Sequence, residues 1–218
     1  MGRDAVLTSS ATRLWRLIEE RIRVGSHTES IDQRIWDLFG EEWTIMFTDL
    51  AGFSRQVAKF GIIHFLQVIH EQKQLLLPIV ERHDGVLIKI EADSFLILFK
   101  QPAGAVACAV EMQRACQATN ARRTPEEQIV LCVGLGHGRL LKIGDEDVYG
   151  HEVNLASKLG EDTAKGNEIL ATPAVHAAAP EIAGATWEEV AAEYAGETTC
   201  WRLRWTTPSA GSRPSTSR

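Results

Sequence analysis

The chain has 218 residues, 44% hydrophobic and 24% charged, an ordinary globular mixture and enough for one sizeable α+β domain with short extensions. Its net charge of -6 excludes a broad electrostatic attraction for nucleic acid, so a small anionic substrate would need local cations or metal. No apolar run reaches membrane-span length and no signal-peptide core opens the chain. Cys108, Cys116, Cys132 and Cys200 form no CxxC pair and read as reduced core thiols, which together give a cytoplasmic expectation with no membrane partner.

Residues 9–24 carry Leu14, Leu17, Ile18 and Ile22 at helical spacing. A second short helix is expected over 31–39, with Gly40 as its stop. This front section, 1–40, reads as a helical pair covering one end of the domain or as a partner-binding arm. Trp43 to Thr48 reads as a buried strand, followed by a tight turn at Leu50–Ser54 with Gly52 at the bend. Residues 54–83 are expected to be mostly helical, with Gly61 and Pro78 marking a bend. Two strands, 85–91 and 94–100, join at Ala92-Asp93, and Pro102 opens a helix to about Asn120. Strands over 128–137 and 139–143, an acidic turn at 144–147, a helix over 150–164, a short strand at 168–172 and a short helix near 173–179 follow. The last strand spans 198–205, and the Thr, Pro, Ser, Gly and Arg residues from 206 on read as a disordered tail. This order implies a mixed sheet with helices packed on one face, and places the main domain at 41–205.

Two acids stand out from this order. Asp49 ends an apolar strand at the mouth of a helix, where exposed N–H groups and the helix dipole face an anion. Asp93 sits in a strand-to-strand link inside an apolar run, a position that core packing does not explain. If that hairpin lies beside the first strand, the two carboxylates meet at one sheet edge and can hold two divalent ions for displacement at phosphorus. Each acid taken alone is equally a helix cap or a turn residue.

The surrounding motifs resemble one family. Phe47-Thr48-Asp49-Leu50-Ala51-Gly52-Phe53 resembles the first metal motif of the class III nucleotidyl cyclases, the adenylate and guanylate cyclase catalytic domain. Lys89-Ile90-Glu91-Ala92-Asp93 sits where that family usually has Lys-Thr-x-Gly-Asp. Gly134 to Arg139 resembles its Gly-x-His-x-Gly-Arg strand, and Asp147 to Leu159 its Asp-x-x-Gly-x-x-Val-Asn-x-Ala-x-Arg-Leu helix. The four motifs fall in order within residues 43–172.

The resemblance implies a ferredoxin-like α+β catalytic domain that converts a nucleoside triphosphate to a 3′,5′-cyclic nucleotide and pyrophosphate. Asp49, Asp93 and the Leu50 carbonyl would bind two Mg²⁺ or Mn²⁺ ions. Arg139 would hold the polyphosphate, Asn154 the ribose, and Lys89 with Asp147 the base edge. Lys158 would contact the α-phosphate, and Phe47, Thr48, Gly52 and Phe53 would line the substrate. The family forms its site between two catalytic domains, which implies a homodimer with shared sites. Three departures are visible: Lys158 stands in the usual Arg position, Ala92 replaces Gly, and the region near Ala191-Ala192-Glu193-Tyr194 lacks the usual late Lys.

The Lys89/Asp147 pair fits adenine, uracil or cytosine better than guanine. The added bulk of Ile90 and Ala92 favours a pyrimidine. The resemblance extends to the bacterial pyrimidine cyclases, which make an anti-phage signal read by a cyclic-nucleotide effector. The expectation is therefore UTP to cUMP, with ATP to cAMP next and a nucleotide-binding pseudo-cyclase as the reading from another class. A diguanylate cyclase is disfavoured by the lack of a Gly-Gly-Asp-Glu-Phe run.

Overall fold

The computed structural model describes residues 9–23, 25, 27–179, 181–182 and 184–205, and leaves the side chains of 53–56 outside the description. The tail expected from 206 on also lies outside the described residues. The elements are α1 (Ser10–Arg21), α2 (Thr28–Phe39), β1 (Gly40–Leu50), α3 (Phe53–Phe60), α4 (Ile62–Arg82), β2 (Val86–Glu91), β3 (Ser94–Phe99) and α5 (Pro102–Asn120). There follow β4 (Leu131–Ile143), β5 (Asp147–Tyr149), α6 (His151–Ser157), β6 (Ile169–Ala171), α7 (Pro173–Ala178), β7 (Ala185–Tyr194) and β8 (Glu197–Trp205).

The eight strands form one sheet in the order β2-β3-β1-β4-β6-β8-β7, with β5 paired to β4. The β2-β3-β1-β4 part is antiparallel and carries the ferredoxin-like topology, with α3–α4 and α5 as its crossovers. The parallel β4–β6 pairing makes the sheet mixed.

Alternation along β1 sorts its side chains between two cores. Met46 and Leu50 join Phe65, Leu76, Phe95, Ile97, Val106 and Met112 under α4 and α5. Ile45 joins Trp43, Leu96, Leu98, Val153 and Ala156 on the opposite face. Each fully buried Leu, Ile or Phe contributes about 1.5–3 kcal/mol. The long helices thus share one face, as the sequence implies, and α6 adds a small layer on the other. The α1–α2 pair packs Leu14, Leu17, Ile31, Ile35 and Phe39 against Ile143, so it covers one end of the sheet. All four cysteines are buried and unpaired.

Local differences from the sequence expectation have physical causes. Gly61, at φ +86°, separates α3 from α4, whereas Pro78 stays inside α4. The expected break near Gly138 is absent: β4 runs unbroken because β1 pairs with it from Leu131 to Leu141. Asp147, expected in a turn, begins β5, and the unexpected β7 is held by an antiparallel ladder to β8.

Helix α6 approaches β4 closely because alternate β4 positions lack side chains. A methyl at Gly134 would overlap the Ala156 carbonyl oxygen and the Gly160 nitrogen, and one at Gly136 would overlap the Glu152 carbonyl. The helix then widens into a π turn over Lys158–Thr163 as Gly160 presses against the Phe47 carbonyl and Gly134. Gly134→Ala should therefore lower stability by about 3 kcal/mol or prevent folding, since backbone rather than a flexible side chain must move. Urea denaturation checks this; a loss under about 0.5 kcal/mol would show that α6 is not seated by this contact.

Candidate active site

The C-terminal end of β1 and the β2–β3 turn meet, as the hairpin requires. Thr48 pairs with Phe95, so Asp49 falls beside the turn that carries Asp93 and Ser94. The Leu50 N–H donates to Asp93 Oδ2 at 3.2 Å, and the Ser94 hydroxyl donates to Asp49 Oδ1 at 3.3 Å. The Phe95 N–H donates to Thr48 Oγ1 at 3.2 Å. Asp93 is only 5% exposed.

Two carboxylates held together and partly desolvated cannot both ionise cheaply. Burial first, and the Asp93 charge second, push Asp49 up to about 7. Burial likewise raises Asp93. Among the described residues neither acid has an ion-pair partner, and no cluster of three or more His, Cys, Asp or Glu side chains surrounds them. An all-oxygen pair with surplus negative charge fits hard divalent cations such as Mg²⁺ or Mn²⁺, completed by backbone oxygen, water or phosphate.

A second group lies on the α6 face. Lys89 Nζ donates to Asp147 Oδ2 at 3.1 Å and pairs with Glu91 at 3.3 Å; the Asp147 bond chiefly raises the lysine. The Tyr149 hydroxyl donates to the same Asp147 oxygen at 3.4 Å. Lys89, Glu91 and Asp147, with Phe47, Ser94, Val153 and Glu161, line a cavity of about 100 Å³. That is well below the roughly 300–1,000 Å³ usual for small-molecule pockets. Asn154 and Lys158 stand one turn apart on the exposed side of α6 and its π turn. Lys158 Nζ donates to Asp162 at 2.6 Å.

Several expected site residues are placed differently. Thr48 is fully buried, and its hydroxyl pins β3 to β1 rather than facing the cleft. Arg139 stacks on Trp36 of α2, with its guanidinium carbon 4.5 Å from the ring centroid. It lies seven residues along β4 from Cys132, the partner of Asp49, or roughly 24 Å at the rise of a strand. Within one chain it therefore cannot reach a phosphate held at Asp49 and Asp93. Gly52 holds φ +84° in the open turn before α3; Phe53 begins that helix, and its side chain is among those outside the description. Ser94, Glu161, Tyr149 and Gln72 were not singled out from sequence. Ser94 adjoins Asp93, and Gln72 interrupts the buried face of α4 between Ile69 and Leu76, so both left a signal.

Residues 40–201 match the model of the adenylate and guanylate cyclase catalytic domain. The chain belongs to this family. A putative adenylate cyclase 3 of Rhizobium meliloti (strain 1021) is 31% identical over 133 residues, 61% of this chain and 22% of that protein. A serine/threonine-protein kinase pkn2 of Myxococcus xanthus is 27% identical over 135 residues, 62% of this chain and 16% of its own length. The matched segment is thus about a fifth of these relatives. The crystal structure of an adenylate/guanylate cyclase/hydrolase from Silicibacter pomeroyi superposes with TM-score 0.67 at 20% identity, covering 77% of this chain and 98% of that one, a likeness of fold.

In this cyclase domain Ala92 stands at φ +51°, the backbone conformation that the family's usual Gly adopts freely. Ala92→Gly should stabilise the fold by about 0.5–1 kcal/mol, the left-handed cost less the added chain entropy of Gly. Thermal or urea unfolding checks the sign, and a destabilised variant would contradict it. The acid pair gives a pH dependence. Its folded-state pKa lies above the unfolded value of 3.8, so its stability contribution is full below about pH 4 and lost as pH rises through 7. The metal-free Tm should fall from pH 5 to pH 8, Asp49→Asn should flatten that slope, and Mn²⁺ should raise Tm more at pH 8 than at pH 5. An Asp49→Asn slope equal to wild type would show that the acids are not coupled.

Proposed function

We propose that this chain is a class III nucleotidyl cyclase acting as a homodimer, with Asp49 and Asp93 of one protomer facing the Lys89–Asp147 cleft of its partner. The carrying observation is the uncompensated acid pair at the end of β1. Asp49, Asp93 and the Leu50 carbonyl would hold two Mg²⁺ or Mn²⁺ ions, which would supply charge stabilisation at the α-phosphate and pyrophosphate. The chain's own residues bind and orient: Lys89 donates to the base edge, Asp147 accepts from it, Asn154 orients the ribose, and Lys158 turns from Asp162 to the α-phosphate. Gly52 leaves the N-terminus of α3 open to the phosphates. Arg139, held on Trp36 near the front helices, lies too far along β4 to serve a polyphosphate at the acids of its own protomer.

The split site has a direct test. Asp49→Ala and Lys158→Ala chains should each be nearly inactive alone. A mixture with verified chain exchange should recover activity, because one of the two sites in the heterodimer is intact. No recovery would contradict the shared site.

The base reading changes with the geometry. Ile90 packs into the core under α4, on the face opposite Lys89, and Ala92 lies in the turn, so neither narrows the cleft. With them goes the steric ground for the UTP-to-cUMP and anti-phage reading. The cleft adds Glu91 and Glu161 to Asp147 as acceptors, and a base bearing an amino group offers them donors that uracil lacks. This disfavours uracil, and we favour ATP to cAMP, with CTP as the other triphosphate whose base fits the Lys89/Asp147 pair and bears an amino group. Equal concentrations of the four triphosphates with Mn²⁺, resolved by mass, should give cAMP as the main product. Mainly cUMP would restore the pyrimidine reading, and nucleotide binding without pyrophosphate release would favour the pseudo-cyclase.

A further inference from the structure

Gln72 is fully buried in α4, on a face otherwise made of Phe65, Val68, Ile69, Leu76 and Ile79. Its Nε2 donates to the main-chain oxygen of Asp93 at 2.9 Å. Its Oε1 is buried with no hydrogen-bond partner among the described residues. The unpartnered oxygen is a cost that offsets what the amide gains by satisfying the buried Asp93 carbonyl. The amide thus adds little net stability to the core, which points to a use for its N–H in placing the turn.

That use follows from the turn. Ala92 is held at φ +51°, a conformation unfavourable to an L-residue, and the next residue must present its carboxylate to Leu50 and Asp49. The carboxylate of Asp93 is fixed from the β1 side by the Leu50 N–H. Its main chain is fixed from the α4 side only by Gln72 among the bonds found in the described residues. Metal affinity depends on such outer partners, which hold a ligand in place before the ion arrives.

We propose that Gln72 is a positioning residue for the divalent-cation site: its side-chain amide clamps the Asp93 backbone so that the strained turn holds the second carboxylate at Asp49. This rests on the reading of Asp49 and Asp93 as metal ligands. It adds a fixed requirement for a hydrogen-bond donor from the middle of α4.

The test is Gln72→Met, which keeps volume and flexibility but removes the amide. Mn²⁺ alone is titrated into the full chain by calorimetry, beside wild type and Asp93→Ala. The clamp predicts a folded variant with a Tm near wild type, because the orphaned oxygen is gone while the Asp93 carbonyl loses its donor, and Mn²⁺ binding weakened about 10-fold. It also predicts a lower kcat with KM for the nucleotide within about twofold, since KM reports the base and phosphate contacts. Unchanged Mn²⁺ affinity in the folded variant overturns the clamp. Binding that survives Asp93→Ala overturns instead the metal reading beneath it. Should Gln72→Met not fold, the Gln72 side-chain amide resonances of the wild-type protein decide. The clamp requires them to shift with Mg²⁺ in step with the Leu50 amide, and resonances that stay fixed overturn it.

Discussion

The site depends on the electrostatic conflict between Asp49 and Asp93. The β1–β3 register and the two-residue turn leave these acids no room to separate, and no cation within the described residues neutralises them. A free chain resolves the conflict by sharing a proton, which is why burial and mutual repulsion lift Asp49 to about 7. On the proposed function a divalent cation would resolve it better. Bonds from Leu50 and Ser94 to the two carboxylates, and from Gln72 to the Asp93 main chain, hold the acids together.

Close packing on the other face of the sheet supplies the remaining groups. The missing side chains at Gly134 and Gly136 let α6 sit on β4, and the same approach brings Val153 into the wall of the cleft with Lys89 and Asp147. The π turn extends α6 just where Lys158 and Glu161 emerge. One strand, β4, thus fixes both the acids, through its pairing with β1, and helix α6, through its glycines. The front helices join the same strand at its far end, where Trp36 meets Arg139.

Much of this was legible in the sequence. The strand ending on Asp49, the hairpin acid at Asp93 and the helix carrying Asn154 and Lys158 each follow from local pattern, and the meeting of the two acids follows from the hairpin's place beside β1. What was not legible depends on pairing and on face. Strand β7 is rich in Ala and Glu, poor strand formers, and exists because β8 supplies its ladder. Thr48, Ile90 and Arg139 lie near the right residues in sequence, but the pleat turns the first two from the cleft and the register carries the third to the other end of the sheet. Gln72 left a signal, a polar residue on an apolar helix face, but its meaning depends on a partner 21 residues away that only the fold supplies.

The central claim is that the acid pair of one protomer and the Lys89–Asp147 cleft of the other close on one nucleotide. Crystals grown with Mn²⁺ and a non-cyclisable ATP analogue, measured at the manganese absorption edge, test it most directly. The account predicts anomalous peaks within about 2.0–2.4 Å of carboxylate oxygens of Asp49 and Asp93, with the base against the partner's Lys89 and Asp147. Manganese bound away from these acids, or a base lodged against Lys89 and Asp147 of the same chain that holds the metal, would contradict it.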